Sequence, residues 1–366
     1  MHARPAKQTV KHPFWYNGQR GRNAMPASAP SIPTIDLSSL ATGLDHGTPE
    51  ARAVGELIDS TCQNIGFLLV KNHGVSAQTK ANFLAKMREF FAEPLEKKNT
   101  IAIGKSPHHR GYVAMGMEDL EGALANTELG KTYGAGDVKE SIDSGTEDGP
   151  DHPEVKAGTP LHGPNQLPDW IPGFREAWQA YFDEVWETAR RVQRGLAIAL
   201  KLEPDYFEKL PGHPLLNLRM LHYPPESRVN TEDGRIGCGA HTDYGTITVL
   251  ADDGVGGLQV KPREGDWIDI SIPDDCLVVN LADLLAIWTN DRYVSNPHRV
   301  MNPPNTDRYS IPLFVTPPYH LTVEAIPTCL APGEKPKYPP MVSGRYLQSR
   351  FDGTHSYRNE LMDGES

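Results

Sequence analysis

The spacing of hydrophobic residues changes character along the chain. Apolar residues recur at helical intervals in the first part of the sequence, whereas short alternating segments dominate after residue 216. The helical spacing predicts helices over 50–66, 76–92 and 174–200, and a glycine-terminated apolar run predicts a buried strand over 67–74. Ser76 is the expected N-cap of the second helix, because a serine side chain accepts a hydrogen bond from the first helical turn.

The second part of the sequence consists of short strand-like segments separated by Pro, Gly and Asp. These segments are NLRMLHYP, HTDYGTITVL, GLQVKP, WIDISIP, CLVVNLADLLAIWT, RYSIPLFV and LTVEAIP. Many short strands at close spacing are typical of a β-sandwich or jelly roll. Residues 104–168 are rich in Gly, Pro and charge, with GAGDVKESIDSGTEDGPDHPE as the clearest loop, and residues 344–361 return to helical spacing.

Composition and charge narrow the class of protein. The 366 residues are consistent with one elaborated domain or with two, and 38% hydrophobic with 23% charged residues is ordinary for a soluble globular protein. A net charge of −11 argues against nucleic acid or an anionic membrane surface as a partner. The sequence contains no apolar stretch long enough for a transmembrane helix and no apolar signal region near its start. Four widely spaced cysteines predict free thiols in a reducing cytoplasm.

Residues 240–250, AHTDYGTITVL, raise the first question about chemistry. We predict that they form one strand, in which His241 and Asp243 share a face with Ile247 and Val249, because alternate side chains of a strand share a face. That face is expected to be the barrel interior, where an unpaired carboxylate is costly. Either a hydrogen-bonded His–Asp pair or a shared divalent metal satisfies both groups.

A third ligand favours the metal. His298 lies downstream in SNPHRV, and two histidines with one carboxylate form the facial triad typical of non-haem iron(II), which leaves coordination positions open. Zinc is the competing metal, but its structural sites are closed by four protein ligands and are often rich in cysteine.

Arg308 and Ser310 form a second pair on one strand face, and Phe314 has the same parity. A guanidinium and a hydroxyl that point together into a barrel predict a clamp for a carboxylate, since arginine binds carboxylates bidentately. The alternative for the pair alone is an ordinary surface salt bridge.

Together these segments resemble the 2-oxoglutarate- and Fe(II)-dependent oxygenases of the isopenicillin N synthase-like superfamily, over about residues 31 to 360. The resemblance rests on IPTIDLSSL, GFLLVKNHGV, HRGYVAMG, DVKESID, LRMLHYPP, HTDYGTITVL, GGLQV, VVNLADLLAIWTNDRYVSNPHRV and RYSIPLFV, in that order. It implies a mainly β fold with flanking helices, built on a double-stranded β-helix (jelly roll, cupin-like) core. The implied division is a flexible N-terminal arm (1–30), a mixed helical region (31–205), the catalytic jelly roll (206–330) and a C-terminal helical segment (331–366).

The resemblance also implies the site. His241, Asp243 and His298 match the iron ligands, Arg308 and Ser310 match the pair that holds the distal carboxylate of 2-oxoglutarate, and Tyr223 matches a further contact to this co-substrate. Leu221 stands where many family members have asparagine, and Ala282 stands where glycine is commoner. Phe314 and Tyr112 are the candidate substrate residues.

The implied reaction hydroxylates, desaturates or cyclises a small molecule and converts 2-oxoglutarate and O₂ to succinate and CO₂, with ascorbate as a candidate reductant. One alternative is an Fe(II) oxidase of the isopenicillin N synthase type, in which the arginine holds another carboxylate; a non-catalytic cupin-like binding protein is the other. We expect a monomer or homodimer that acts on an amino acid, nucleobase or secondary metabolite. His108 and His109 are expected to be exposed loop residues, and His222 to face away from the site.

Overall fold

Most of the segments after residue 216 fold into strands of two large sheets, and residues 322–323 and 341–342 form a separate two-stranded sheet. The computed structural model describes residues 32–120, 137–229 and 236–354. Its strands are β1 (Thr34–Asp36), β2 (Phe67–Lys71), β3 (Gly111–Val113), β4 (Glu140–Gly145), β5 (Leu215–Tyr223), β6 (Cys238–His241), β7 (Ile247–Asp252), β8 (Leu258–Val260), β9 (Ile268–Asp269), β10 (Cys276–Leu281), β11 (His298–Val300), β12 (Arg308–Thr316), β13 (Thr322–Val323) and β14 (Met341–Val342). Its helices are α1 (Pro49–Asn64), α2 (Ala77–Phe91), α3 (Leu95–Lys98), α4 (Pro153–Lys156), α5 (Phe174–Ala199), α6 (Asp283–Trp288) and α7 (Ser343–Thr354).

The larger sheet has eight strands in the order β1-β2-β10-β7-β12-β5-β4-β3, and the smaller has four in the order β6-β11-β8-β9. Apart from the parallel pair β1–β2, neighbouring strands are antiparallel. A cluster of buried side chains from β2, β5 and β10 packs against side chains from β6, β8 and β11, so the two sheets face each other across a shared core. The expected jelly roll with flanking helices is confirmed. Strands β1 to β4 extend the larger sheet and come from the region before residue 206.

The outer face of the larger sheet is apolar and covered by helices. Side chains of alternate parity along β7, β10 and β12 belong to one large cluster with the buried faces of α1, α2 and α5. The α1 and α5 helices approach closely at glycines: a Cβ on Gly195 would lie 2.4 Å from Cδ1 of Ile58, and one on Gly55 would lie 2.6 Å from Cγ2 of Ile198. The opposite face of the larger sheet, which faces the smaller sheet, is therefore the one that can carry polar functional groups.

Local sequence signals account well for the helices. The predicted helices over 50–66, 76–92 and 174–200 correspond to α1, α2 and α5 with boundaries shifted by one or two residues. The Ser76 hydroxyl accepts a hydrogen bond from the Thr79 N–H at 3.0 Å, as predicted for the N-cap of α2. None of the described helices is long and apolar enough to cross a membrane.

Three local predictions are wrong. Residues 240–250 are two strands, because the chain leaves the smaller sheet after His241 and enters the larger sheet at Ile247. Residues 276–289, predicted as a strand, form β10 followed by the short helix α6. Residues 140–145, predicted within a loop, form β4, a fully buried strand. Charged residues are tolerated in β4 because Lys98 and Arg219 pair with its carboxylates.

Candidate active site

Two strands of the smaller sheet bring the predicted metal ligands together. His241 is the last residue of β6 and His298 is the first of β11, and the antiparallel register places them directly opposite each other. Asp243 lies in the turn that carries the chain from β6 to β7. The carboxylate is therefore presented by a chain crossing between sheets, and the continuous strand that we predicted from alternation does not exist.

The three side chains direct one donor atom each toward a common point. Oδ1 of Asp243 lies 3.7 Å from Nε2 of His241 and 3.6 Å from Nε2 of His298. A cation held about 2.0–2.2 Å from such nitrogen and oxygen donors leaves neighbouring donors roughly 3–4 Å apart, so the spacing fits a metal ion. Nδ1 of His241 is turned away and lies 2.8 Å from the Gly239 carbonyl oxygen, which orients Nε2 toward the shared point.

The remaining carboxylate oxygen of Asp243 is held by the larger sheet. Oδ2 accepts hydrogen bonds from the Thr248 hydroxyl at 2.5 Å and from the Asn280 amide at 2.7 Å. Burial raises the pKa of Asp243, but the neighbouring histidines and these hydrogen bonds outweigh it and lower the pKa below its usual value. Burial and the proximity of His241 lower the pKa of His298 to about 4. An ionised carboxylate beside a neutral imidazole is the protonation state that metal binding requires.

A second polar group lies on the inner face of β12. The Arg308 side chain is fully buried, and its Nε donates a hydrogen bond to the Gly256 carbonyl oxygen at 2.5 Å. Both terminal guanidinium nitrogens and the Ser310 hydroxyl lack a hydrogen-bond partner among the described residues, and Asp252 lies 3.8 Å away, beyond hydrogen-bond reach. The guanidinium carbon lies 4.8 Å from the centre of the Tyr223 ring. Because buried N–H groups without hydrogen-bond partners are costly, this geometry is suited to an anionic ligand such as the distal carboxylate of 2-oxoglutarate.

A cavity of about 700 Å³, including its open mouth, reaches the metal-binding residues. His241 and Asp243 line it, Phe314 contributes an aromatic wall from β12, and Leu347 and Phe351 contribute a wall from α7. The C-terminal helix thus shapes the space beside the triad.

The structure also shows where the other residues singled out from the sequence lie. Tyr112 does not line the cavity; its hydroxyl donates a hydrogen bond to Glu140 at 2.5 Å, and its ring packs in the core under the helices. His222 lies on the face of the larger sheet that the helices cover, where it pairs with Glu140, so it faces away from the site as strand alternation predicted. His109 was expected to be exposed but is buried and stacks on Phe351, with ring centres 4.0 Å apart. The predicted N-terminal arm lies outside the described residues.

Sequence reasoning missed the polar wall of the cavity. The Asn217 amide nitrogen donates to Asp143 at 2.9 Å, and the Arg219 guanidinium donates to Asp143 at 3.1 Å and to both carboxylate oxygens of Glu118. Lys139 lies 3.0 Å from Glu118. A signal was available for two of these residues. Asn217 and Arg219 have the same strand parity as Tyr223, the predicted co-substrate contact at the end of the same strand, so the three side chains are expected on one face.

Comparisons with known proteins agree with this geometry. Residues 32–170 match a family model described as the N-terminal region of non-haem dioxygenase in morphine synthesis, and residues 214–317 match the 2OG-Fe(II) oxygenase superfamily. The chain is 36% identical over 344 residues to the 2-oxoglutarate-Fe(II) type oxidoreductase hxnY of Emericella nidulans, which covers 92% of this chain and 95% of that protein. It is 33% identical over 323 residues to a homoarginine-6-hydroxylase of Arabidopsis thaliana, covering 84% and 90% of the two chains.

Solved structures are similar over most of the chain. A full-length Neurospora crassa protein crystallised with alpha-ketoglutarate and thymine superposes with a TM-score of 0.72 at 32% identity, covering 87% of this chain and 96% of that one. A putative oxygenase from Caulobacter crescentus superposes with a TM-score of 0.72 at 27% identity, covering 88% and 98%. The chain therefore belongs to the 2-oxoglutarate- and Fe(II)-dependent oxygenase superfamily, and it is an oxidoreductase that uses Fe(II), 2-oxoglutarate and O₂.

Proposed function

We propose that this oxygenase oxidises a small, flat, neutral molecule bearing N–H groups, and that His241, Asp243 and His298 bind its iron. Arg308, Ser310 and Tyr223 would hold 2-oxoglutarate. The observation that carries the proposal is the convergence of two Nε2 atoms and one Oδ1 atom at the end of a cavity. Bound iron would supply the oxidation of a substrate C–H bond by O₂, coupled to decarboxylation of 2-oxoglutarate to succinate and CO₂.

The residues of the chain position the reactants. Thr248 and Asn280 hold one oxygen of Asp243, so that the other stays directed at the metal. The buried Arg308 guanidinium offers two free N–H-bearing nitrogens, and the Ser310 hydroxyl a third donor, to a carboxylate. Tyr223 lies against the guanidinium, and burial raises the pKa of its phenol to about 12, so it stays a neutral hydrogen-bonding group.

The polar wall favours a neutral substrate with hydrogen-bond donors. Because the Asn217 amide nitrogen donates to Asp143, its carbonyl oxygen faces the other way, and this oxygen has no hydrogen-bond partner among the described residues. The charges of Arg219, Glu118 and Asp143 are already paired with each other. A heterocycle could donate an N–H to the side-chain oxygen of Asn217 and pack its ring against Phe314.

The relatives offer two substrate classes for testing. Thymine, bound in the Neurospora crassa structure, has ring N–H groups and a methyl carbon to oxidise. The Arabidopsis relative is named for homoarginine, which is cationic. We favour the heterocycle because the acidic groups of the wall are engaged by Arg219 and Lys139, which leaves no free carboxylate there for a guanidinium among the residues described.

The test measures succinate release by the Fe(II)-loaded protein with 2-oxoglutarate, O₂ and a panel of nucleobases, pyridines and basic amino acids. We expect stimulation by N–H heterocycles and a product heavier by one oxygen or lighter by two hydrogens in mass spectrometry. Succinate that persists in Asp243→Ala would refute the metal assignment. Substrate oxidation without 2-oxoglutarate would favour the oxidase alternative, and stimulation by basic amino acids alone would refute the heterocycle.

Asn217 provides a matched test of recognition. Asn217→Leu keeps the size of the side chain but removes the acceptor, and we expect KM for the heterocycle to rise about tenfold, the value of one hydrogen bond near 1.4 kcal/mol. Succinate release without substrate should stay unchanged. An unchanged KM would remove Asn217 from substrate recognition.

We further infer a cytoplasmic monomer or homodimer that does not bind nucleic acid. All four cysteines are free thiols, and three of them are buried, which suits a reducing compartment. The net charge of −11 disfavours association with a polyanion. Light scattering of the purified chain tests the oligomeric state.

A further inference from the structure

A second group of metal-ligating side chains lies apart from the iron site. Among the described residues, two sets of His, Cys, Asp and Glu side chains bring three donor atoms within 4.8 Å of one another. One is the triad described above, and the other consists of Asp148, His152 and His162. These three residues flank the short helix α4, with Asp148 and His152 before or at its start and His162 after it.

The donors of this second group, here called the α4 cluster, are close together and partly protected from solvent. Nδ1 of His162 lies 2.8 Å from one carboxylate oxygen of Asp148, and Nε2 of His152 lies 3.8 Å from the other. Asp148 and His162 are buried, with exposed fractions of 5% and 4%, while His152 is partly exposed. The two imidazoles are nearly parallel, at an interplanar angle of 11°, with ring centres 5.9 Å apart.

We propose that the α4 cluster binds a divalent transition-metal ion of the zinc class. Two imidazoles and a carboxylate are a common donor set for zinc, and an ion about 2.0–2.2 Å from each donor places neighbouring donors roughly 3–4 Å apart. The 3.8 Å separation is already in that range. The 2.8 Å separation is that of a hydrogen bond, so an ion would replace the proton between His162 and Asp148 and widen that distance slightly. At His152 an ion on Nε2 requires the ring proton to move to Nδ1, so the weak 3.3 Å hydrogen bond that Nδ1 accepts from the N–H of Glu154 would be lost on binding.

A fourth ligand is within reach. The exposed His213 ring lies 5.5 Å, centre to centre, from the ring of His152, and the partly exposed side of His152 admits water. The cluster thus has three donors in place, and a water molecule could complete a tetrahedron. The exposed side also gives the ion a path from solvent.

The α4 cluster is continuous with the wall of the substrate cavity. Leu161, next to His162, lines the cavity and has a φ of +70°, a conformation that is strained for a residue with a branched side chain. Its carbonyl oxygen accepts a hydrogen bond from Arg110, which also lines the cavity. Leu215, two residues after His213, lines the same wall. An ion in the cluster would link the segments before and after α4 behind that wall and hold Leu161 in place.

The test counts zinc on the full-length chain after removal of any affinity tag and treatment with a chelator. Zinc(II) alone is added, and the bound metal is measured by equilibrium dialysis and mass spectrometry. We expect two equivalents on the wild-type chain and one on His241→Ala/Asp243→Ala, which lacks the iron site. The single equivalent on that variant should also raise its melting temperature. No bound zinc on the iron-site variant would overturn the proposal, whatever number of equivalents the wild-type chain binds.

A paired variant identifies the ligands. His152→Asn/His162→Asn removes two donors, Nε2 of His152 and Nδ1 of His162. Asparagine at 152 can still accept the hydrogen bond that the backbone N–H of Glu154 donates to Nδ1 of His152 in the metal-free chain. In the iron-site variant this change should abolish zinc binding and the thermal shift. The control His46→Asn alters a histidine remote from the cluster in sequence and should leave both unchanged. Retention of a full equivalent by the paired variant would overturn the assignment. Because zinc is counted in a chain without the iron site, the result is independent of the proposed function.

Discussion

Replacement of Arg308 tests the proposed co-substrate clamp most directly. Arg308→Met removes the charge and both unpartnered guanidinium nitrogens from a fully buried position. Hydrogen bonds to a charged group contribute about 1.5–3 kcal/mol each, and two bonds to one carboxylate overlap in effect, so a net loss of about 3 kcal/mol is expected. This loss corresponds to a Kd for 2-oxoglutarate raised roughly 150-fold.

The assay is calorimetric titration of 2-oxoglutarate into protein loaded with Mn(II), which keeps oxygen chemistry out of the measurement. A matched ligand, 2-oxopentanoate, has the same chelating end but no distal carboxylate. Wild type should prefer 2-oxoglutarate by roughly the same 150-fold factor, whereas Arg308→Met should bind the two ligands about equally. A variant that keeps its metal and still prefers 2-oxoglutarate about as strongly as wild type would refute the clamp.

Arg308→Lys separates charge from geometry. The lysine ammonium retains a positive charge near Asp252 but supplies a point donor where arginine supplies a planar fork. We expect a loss of about tenfold in affinity, well below that of methionine. Both variants need a check of melting temperature, because Arg308 also donates to the Gly256 carbonyl oxygen in the core. Equal losses of 2-oxoglutarate affinity in the lysine and methionine variants would show that the positive charge contributes nothing without the planar guanidinium.

Three other substitutions test the hydrogen bond that orients Asp243, a buried ion pair and a close approach between strands. Thr248→Val should weaken metal binding about 10- to 100-fold, because Asp243 loses a hydrogen bond at 2.5 Å, and Thr248→Ser should restore it in a metal titration. Glu140→Gln should lower the unfolding free energy by about 3 kcal/mol at neutral pH, since it breaks a buried ion pair with Lys98 at 2.7 Å. Burial raises the pKa of Glu140, but hydrogen bonds outweigh it and lower the pKa, so this loss should shrink below about pH 4 in denaturant titrations; a loss independent of pH would refute the pairing. Gly245→Ala should lower the unfolding free energy by about 1–3 kcal/mol, because its Cβ would lie 2.3 Å from a carbonyl oxygen of β12; an unchanged melting temperature would contradict this.

Strand alternation predicted the inner face of β12 correctly from sequence. Arg308, Ser310 and Phe314 share that face in the structure, and the odd-numbered residues between them face the helices. The prediction worked because β12 pairs on both sides along most of its length, with β5 and β7, and so keeps one register. The same argument applied to β5 would have placed Arg219 beside the cavity.

Alternation failed where the chain changes sheets. Ile247 and Val249 were expected to share the barrel interior with His241, but they face the helices, and Thr248 points inward to Asp243. After the turn between β6 and β7, odd-numbered residues face the helices and even-numbered residues face the interior. The pattern of residue types in the sequence does not show where such a change occurs. The β4 strand was missed for another reason: its charges are paired by residues distant in sequence, which composition does not reveal.

The register of the larger sheet relates the two ligand sites to each other. Phe314 lies opposite Asn217 on β5 and opposite Thr248 on β7, so the proposed substrate contacts and the support of Asp243 form one row across the sheet. Ser310 lies on the same face of β12, four residues away, which at the rise of an antiparallel strand is about 14 Å. This separation leaves room for a short dicarboxylic acid between the clamp and the metal-binding row. The proposed substrate contacts then lie at the metal's end of the co-substrate, the end from which oxidation must proceed.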